Sequence, residues 1–208
     1  MIIWPMVFSL TLSIAALVAL VPAALLPFRR DPARDGLFWA LLAAGVAGPA
    51  VLVAYILASG WHTGLAPALW VTVAASLFLF AVFPAVLRES WRLAPLLFPY
   101  LFVIGAIATV WLHQPGRPMS DAAPTAWVGF HIVLSVATYA LLTIGAIAGL
   151  AVTLQERALK NKHPTRLTRL LPSVSDGEFI QVRLLVAGAV VLGLDLLSGM
   201  AAQYFETG

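Results

Sequence analysis

Trp127 to Gly149 reads WVGFHIVLSVATYALLTIGAIAG, and this stretch decides the fold. It is apolar enough to sit in lipid, yet His131 lies in its first half, followed by Ser135, Thr138 and Tyr139. At about 3.6 residues per turn, this spacing sets the four polar side chains on one face of a helix. A polar stripe on a membrane helix must face protein, water or a ligand, because lipid cannot satisfy it. Gly145 and Gly149 follow on the same helix, a spacing that admits close approach of another helix.

The whole chain has the same character. Of its 208 residues, 62% are hydrophobic and 10% charged, the balance of a polytopic membrane protein and not of a soluble domain. There is no cysteine, which excludes a disulfide framework, a thiolate metal site and a thiol redox role. Apolar runs separated by charged or turn-rich loops mark six helices, at about 2–27, 36–58, 66–87, 93–112, 125–157 and 178–204. The expected architecture is all-α, with one transmembrane domain over residues 1–208. The first run lacks a charged leader and outlasts the apolar core of a signal peptide, so it reads as a retained helix. The Gly48-Pro49 pair should bend the second helix or leave a backbone carbonyl free.

The formal charge of +3 has a topological explanation. Arg29, Arg30, Arg34, Arg88, Arg92, Arg157, Lys160, Lys162, Arg166 and Arg169 fall in alternate loops on one side, and Arg183 lies in the first turns of the last helix on that side. Arg117 alone falls in an opposite loop. The positive-inside rule makes the first side cytoplasmic and puts the N-terminus outside. No nucleic-acid partner is implied, and the basic 157–169 stretch lies most simply against anionic lipid.

Topology then sorts the histidines. His62, His113 and His131 come at or near the outer face, whereas His163 falls in the basic loop. His131 sits roughly 9 Å from the outer end of its helix, and Asp195 about 13 Å from the outer end of the last one. An aspartate at that depth can accept from one ring nitrogen of a histidine and leave the other for a metal. A local bond of Asp195 to backbone or to Ser198 is the favoured alternative. For His131 itself the competing reading is a structural histidine tied to a neighbouring helix. His62 and His113 read most simply as loop histidines, and Trp61, Trp111 and Trp127 as an interfacial aromatic belt. There is no glycine-rich phosphate loop, no HExxH, no GxSxG and no intramembrane acidic pair for acid–base catalysis. Enzymatic turnover is accordingly not the expectation.

The run Trp127-Val-Gly-Phe-His131-Ile-Val-Leu-Ser135-Val-Ala-Thr-Tyr139-Ala resembles the histidine-bearing helix of the cytochrome c assembly family, the CcsA/CcmC/HemX-like membrane proteins. Its exit, Gln155-Glu-Arg-Ala-Leu159-Lys160, the loop segment Leu170-Leu171-Pro172-Ser173 and the later Leu197-Ser198-Gly199-Met200 look most like the bacterial inner-membrane YpjD/HemX branch. The specific likeness covers about 125–202. It implies a multi-pass protein of the bacterial inner membrane that handles haem b, with other cytochrome c maturation proteins as partners. His131 would be an axial haem ligand, with Ser135, Tyr139 and Trp127 lining the pocket. The chain departs from the family in lacking the tryptophan-rich WGxxWxWD signature. Members of the branch also carry further helices with a second histidine. The chain is then either a shortened form or takes its second ligand elsewhere, from His62, His113, water or a partner. Two other readings stand beside this one. A small transporter would use Asp195, His131 and the Gly48-Pro49 break as a polar path, and a scaffold would use only its small-residue faces.

Overall fold

A computed structural model describes residues 3–25, 34–58, 62–113, 117–118 and 125–207. The helices among them are, in order, α1 (Ile3–Leu25), α2 (Gly36–Ala58), α3 (Leu65–Val86), α4 (Ala94–Val110), α5 (Thr125–Lys160), α6 (Arg166–Leu170) and α7 (Val174–Thr207). A 3-10 turn, Ser90–Leu93, leads into α4. The segments carrying α2, α3, α4, α5 and α7 are each long and apolar enough to cross a membrane, and α1 is a further apolar helix. The protein is an all-α, multi-pass membrane protein.

Helices α1 to α4 form one packed group. Leu20, Leu42, Leu52, Trp70, Leu77, Leu97 and Leu101 are buried in it, and Phe80 meets Phe98 edge to face at 5.9 Å between ring centroids. Helix α2 runs unbroken through Pro49. Gly48 serves close packing there: a Cβ on it would lie 2.9 Å from Ala19 Cβ and 3.2 Å from Ala16 Cα, on α1. Helix α5 joins the group through α3, and α7 packs chiefly on α5.

The α5–α7 contact runs antiparallel in steady register. Gly149 faces Gln181, Gly145 faces Leu185, Gly188 faces Leu142, and Gly199 faces His131. Glycines on both helices let the backbones approach, as small residues do wherever membrane helices cross closely. The register is what carries residues from the two helices to the same depth at one end.

Local signals fix the helix ends. The Asp35 side chain accepts from the Phe38 backbone N–H at 3.0 Å and caps α2. The Arg34 guanidinium donates to the Pro84 carbonyl at 2.7 Å, satisfying a carbonyl in the last turn of α3. Helix α7 begins at Val174, ahead of the expected 178, because Ser173 accepts from the Asp176 N–H at 3.1 Å and donates to the Asp176 carboxylate. This is a close relative of the Ser-x-x-acid capping box. The basic loop also holds a helix that hydropathy does not reveal, α6, capped by Thr165. Gln155 clasps this loop to α5 by donating to the carbonyls of Thr168 at 2.8 Å and Pro172 at 2.9 Å.

At the opposite end, two loops are stitched together. β1 (His62–Thr63) and β2 (Arg117–Pro118) pair antiparallel, with His62 opposite Pro118 and Thr63 opposite Arg117. The strands precede α3 and α5, so they lie at the end where α5 presents His131.

Candidate functional site

The polar groups of α5 and α7 meet at that end. His131 Nδ1 lies 3.0 Å from Asp195 Oδ1 and 2.8 Å from Ser198 Oγ. Ser135 Oγ donates to the same Asp195 oxygen at 2.7 Å. Ser198 Oγ donates to the Asp195 backbone carbonyl at 2.7 Å, and Trp127 Nε1 donates to the Ser198 carbonyl at 2.9 Å. The cluster thus pairs His131 Nδ1, both hydroxyls, the Trp127 indole and Asp195 Oδ1 internally, as a low-dielectric setting favours.

The direct Asp195–His131 contact corrects the expectation of a purely local role for Asp195. The similar depth of the two groups is readable from the sequence. Their facing rotation is not, because it is set by the glycine-lined register of α5 on α7. The expected Ser198 bond is present as well, but it goes to the backbone carbonyl of Asp195 and leaves the carboxylate to His131 and Ser135.

The hydrogen-bond pattern assigns the protons. Ser198 has one hydroxyl proton and gives it to the Asp195 carbonyl. Its oxygen therefore faces His131 Nδ1 as an acceptor, as does Asp195 Oδ1. Both partners call for a proton on Nδ1, and Nε2 of the neutral ring then carries the lone pair. This is the form in which imidazole binds iron. The His131 side chain is 36% exposed and the Asp195 side chain 13%. The carboxylate is covered and the ring is reachable.

The remaining expected site residues are placed as follows. Trp127 lies at a tilt against Phe130, 6.1 Å between centroids, beside the cluster. Thr138 is buried, and its hydroxyl has no partner among the described residues. Tyr139 is 63% exposed. Successive helical residues turn by roughly 100°, so Tyr139 points about 80° from His131, while Ser135 lies within about 40° of it. The shared face expected from spacing is wide, and Tyr139 sits at its outer edge. The side chains of His62 and His113 lie outside the described residues, as does Trp61. His163 lines a separate hollow at the basic end, together with Arg157, Asn161 and Thr165.

Gly199 is the site residue that spacing arguments miss. A Cβ there would stand 3.2 Å from His131 Cε1, so the bare backbone of α7 forms one wall against the ring. An apolar groove of about 350 Å³ lies elsewhere, between Val53 and Leu57 of α2, Val71 and Phe78 of α3, and Val133 and Val136 of α5. It occupies the flank of α5 turned away from His131. Among the described residues, no three His, Asp or Glu side chains gather as a cage for a free metal ion. The donor set is one imidazole, oriented through Nδ1, whose Nε2 has no hydrogen-bond partner among the described residues. That fits haem, which brings four equatorial nitrogens and needs only axial donors.

Comparison with known proteins bears on the same segment. The family model described as "Cytochrome C assembly protein" matches residues 39–202, from α2 to α7. A protein of Azospirillum brasilense, described as an uncharacterized 28.8 kDa protein in the nifR3-like 5' region, is 47% identical over 205 residues. That alignment covers 96% of this chain and 76% of the relative. No solved structure matches the chain.

Proposed function

Because this chain belongs to the cytochrome c assembly protein family, with the role in cytochrome c biogenesis and the haem handling which that membership carries, we propose that it holds haem b at the His131 end of the bundle through His131 Nε2. The observation that carries this reading is the engagement of Nδ1. A histidine kept only for structure has no need of a free, oriented second nitrogen, whereas a ligand does. Bound haem would supply an iron already held in its ring and short of axial donors. Ser135 and Asp195 orient His131 from behind, and Trp127 fixes the α7 backbone beside the ring.

The charge asymmetry supports a bacterial inner-membrane setting with this end periplasmic. Haem bound there would have its propionates within reach of water and its ring among apolar side chains. The stitched loops bring the backbone of His62 to the α5 loop, which makes His62 and His113 the first candidates for a second axial ligand. The Gln155-x-x-x-Leu159-Lys160 exit favours the HemX-like branch of the family.

The test is an absorption spectrum of the detergent-purified protein, oxidised and reduced, beside the His131→Ala variant. A Soret band and reduced α/β bands in the wild type, lost in a variant that still reaches the membrane, are the expected result. Full haem occupancy in His131→Ala would remove the ligand assignment.

A further inference from the structure

His131 is gripped at Nδ1, the ring nitrogen other than the proposed iron donor. Asp195 Oδ1 stands 3.0 Å from Nδ1, and the Ser135 hydroxyl donates to that same oxygen at 2.7 Å. Asp195 comes from a different helix from His131, so the contact exists only when α5 and α7 are in register. A carboxylate is a costly group to place in a membrane span. Its described side-chain role here is to receive the Nδ1 proton and the Ser135 proton.

We infer that Asp195 is a positioning residue for the iron-binding nitrogen: it holds His131 as the Nδ1–H tautomer and strengthens Nε2 as a donor. The inference rests on the haem reading given above and goes beyond it, since a ligand needs no carboxylate behind it merely to bind. A hydrogen bond from Nδ1–H to a carboxylate gives the ring partial imidazolate character. The ring then pushes more electron density onto a bound iron and favours its ferric over its ferrous state. Ser198 Oγ, at 2.8 Å, is a second and weaker acceptor for the same proton. It keeps the ring oriented when Asp195 is altered, so orientation and donor strength separate experimentally.

The experiment compares wild type with Asp195→Asn and Ser135→Ala, in detergent, by two readouts. In haem-free protein labelled with ¹⁵N-histidine, the Nδ1–H proton of His131 should resonate far downfield and move upfield in Asp195→Asn. In protein reconstituted with haem, redox titration should show the ferrous form favoured about tenfold more in Asp195→Asn, an upward shift of about 59 mV for a one-electron couple. Ser135→Ala leaves the carboxylate in place and removes a competing donor from its Oδ1, so it should move both readouts the opposite way by less, and it serves if Asp195→Asn does not fold. An unchanged proton shift and an unchanged potential in variants that bind haem would overturn the role of Asp195. A wild type that takes up no haem would overturn the haem reading instead, and the haem-free resonance would still decide whether Asp195 holds the His131 proton.

Discussion

His131 and Gly199 show how narrowly the site is built. Gly199 is there for space: a Cβ would come 3.2 Å from His131 Cε1, a few tenths of an ångström inside ordinary contact. The ring can answer only by tilting, and tilting lengthens the bonds to Asp195 and Ser198. On the haem reading proposed above, Gly199→Ala should therefore leave a folded protein that holds haem about tenfold less tightly, the usual scale for disturbing a ligand's supporting contacts. Haem transfer to an apo-acceptor such as apomyoglobin would measure the change, and an unchanged transfer rate would show that the ring has room to spare. The site residues differ in how visible they are in the bare sequence. His131 and Asp195 stand out because ionisable groups in apolar helices are costly. Gly199 looks like any small residue in a membrane helix until the facing ring is known. Trp127 reads as an interfacial aromatic, and only the fold reveals that its indole N–H holds the Ser198 carbonyl.

At the scale of helices, the α5–α7 pair can be graded by what each glycine faces. A Cβ on Gly177 would meet Val152 Cγ2 at 2.7 Å, and a β-branched side chain in a helix has no other good rotamer to adopt. Gly177→Ala should cost about 1–3 kcal/mol. A Cβ on Gly149 would meet the Gln181 amide at 2.7 Å, the far end of a flexible side chain that can swing away. A Cβ on Gly193 would meet nothing within 4 Å, so Gly193→Ala should be neutral or stabilising by up to about 1 kcal/mol through helix propensity. Thermal unfolding in detergent should rank the three variants in that order, and equal stabilities would mean that the helices slide past one another freely. The helices themselves are legible from hydropathy because a membrane span needs about 20 apolar residues and little else. Their pairing is only half legible. Gly145 and Gly149 announce a close neighbour, but choosing α7 and its register requires the matching Gly177 and Gly188. Helix α6 and the early start of α7 are hidden for a different reason. They depend on capping by Thr165 and Ser173 in a polar loop, where hydropathy carries no signal.

At the scale of the molecule, the described basic residues other than Arg117 gather at the end opposite the site. Arg34, Arg92 and Gln155 tie the basic end together through the carbonyls of Pro84, Leu171 and Thr168. Arg183 there packs over the Phe179 ring at 4.2 Å. The cluster of His131, Ser135, Asp195 and Ser198 belongs to the other end. The haem site proposed above needs that end to face outward, and the charge bias favours the same orientation on independent grounds. The absence of cysteine makes the orientation directly measurable, because any thiol introduced is the only one in the chain. Ser120→Cys, between α4 and α5, should react with a membrane-impermeant maleimide in intact spheroplasts. Asn161→Cys, exposed just beyond α5, should react only after lysis. The reverse pattern would put His131 on the cytoplasmic side. The ligand geometry would survive that result, but the site would then receive haem from the cytoplasm and could not present it outside. The pair of variants thus separates what the side chains can bind from where in the assembly pathway they can act.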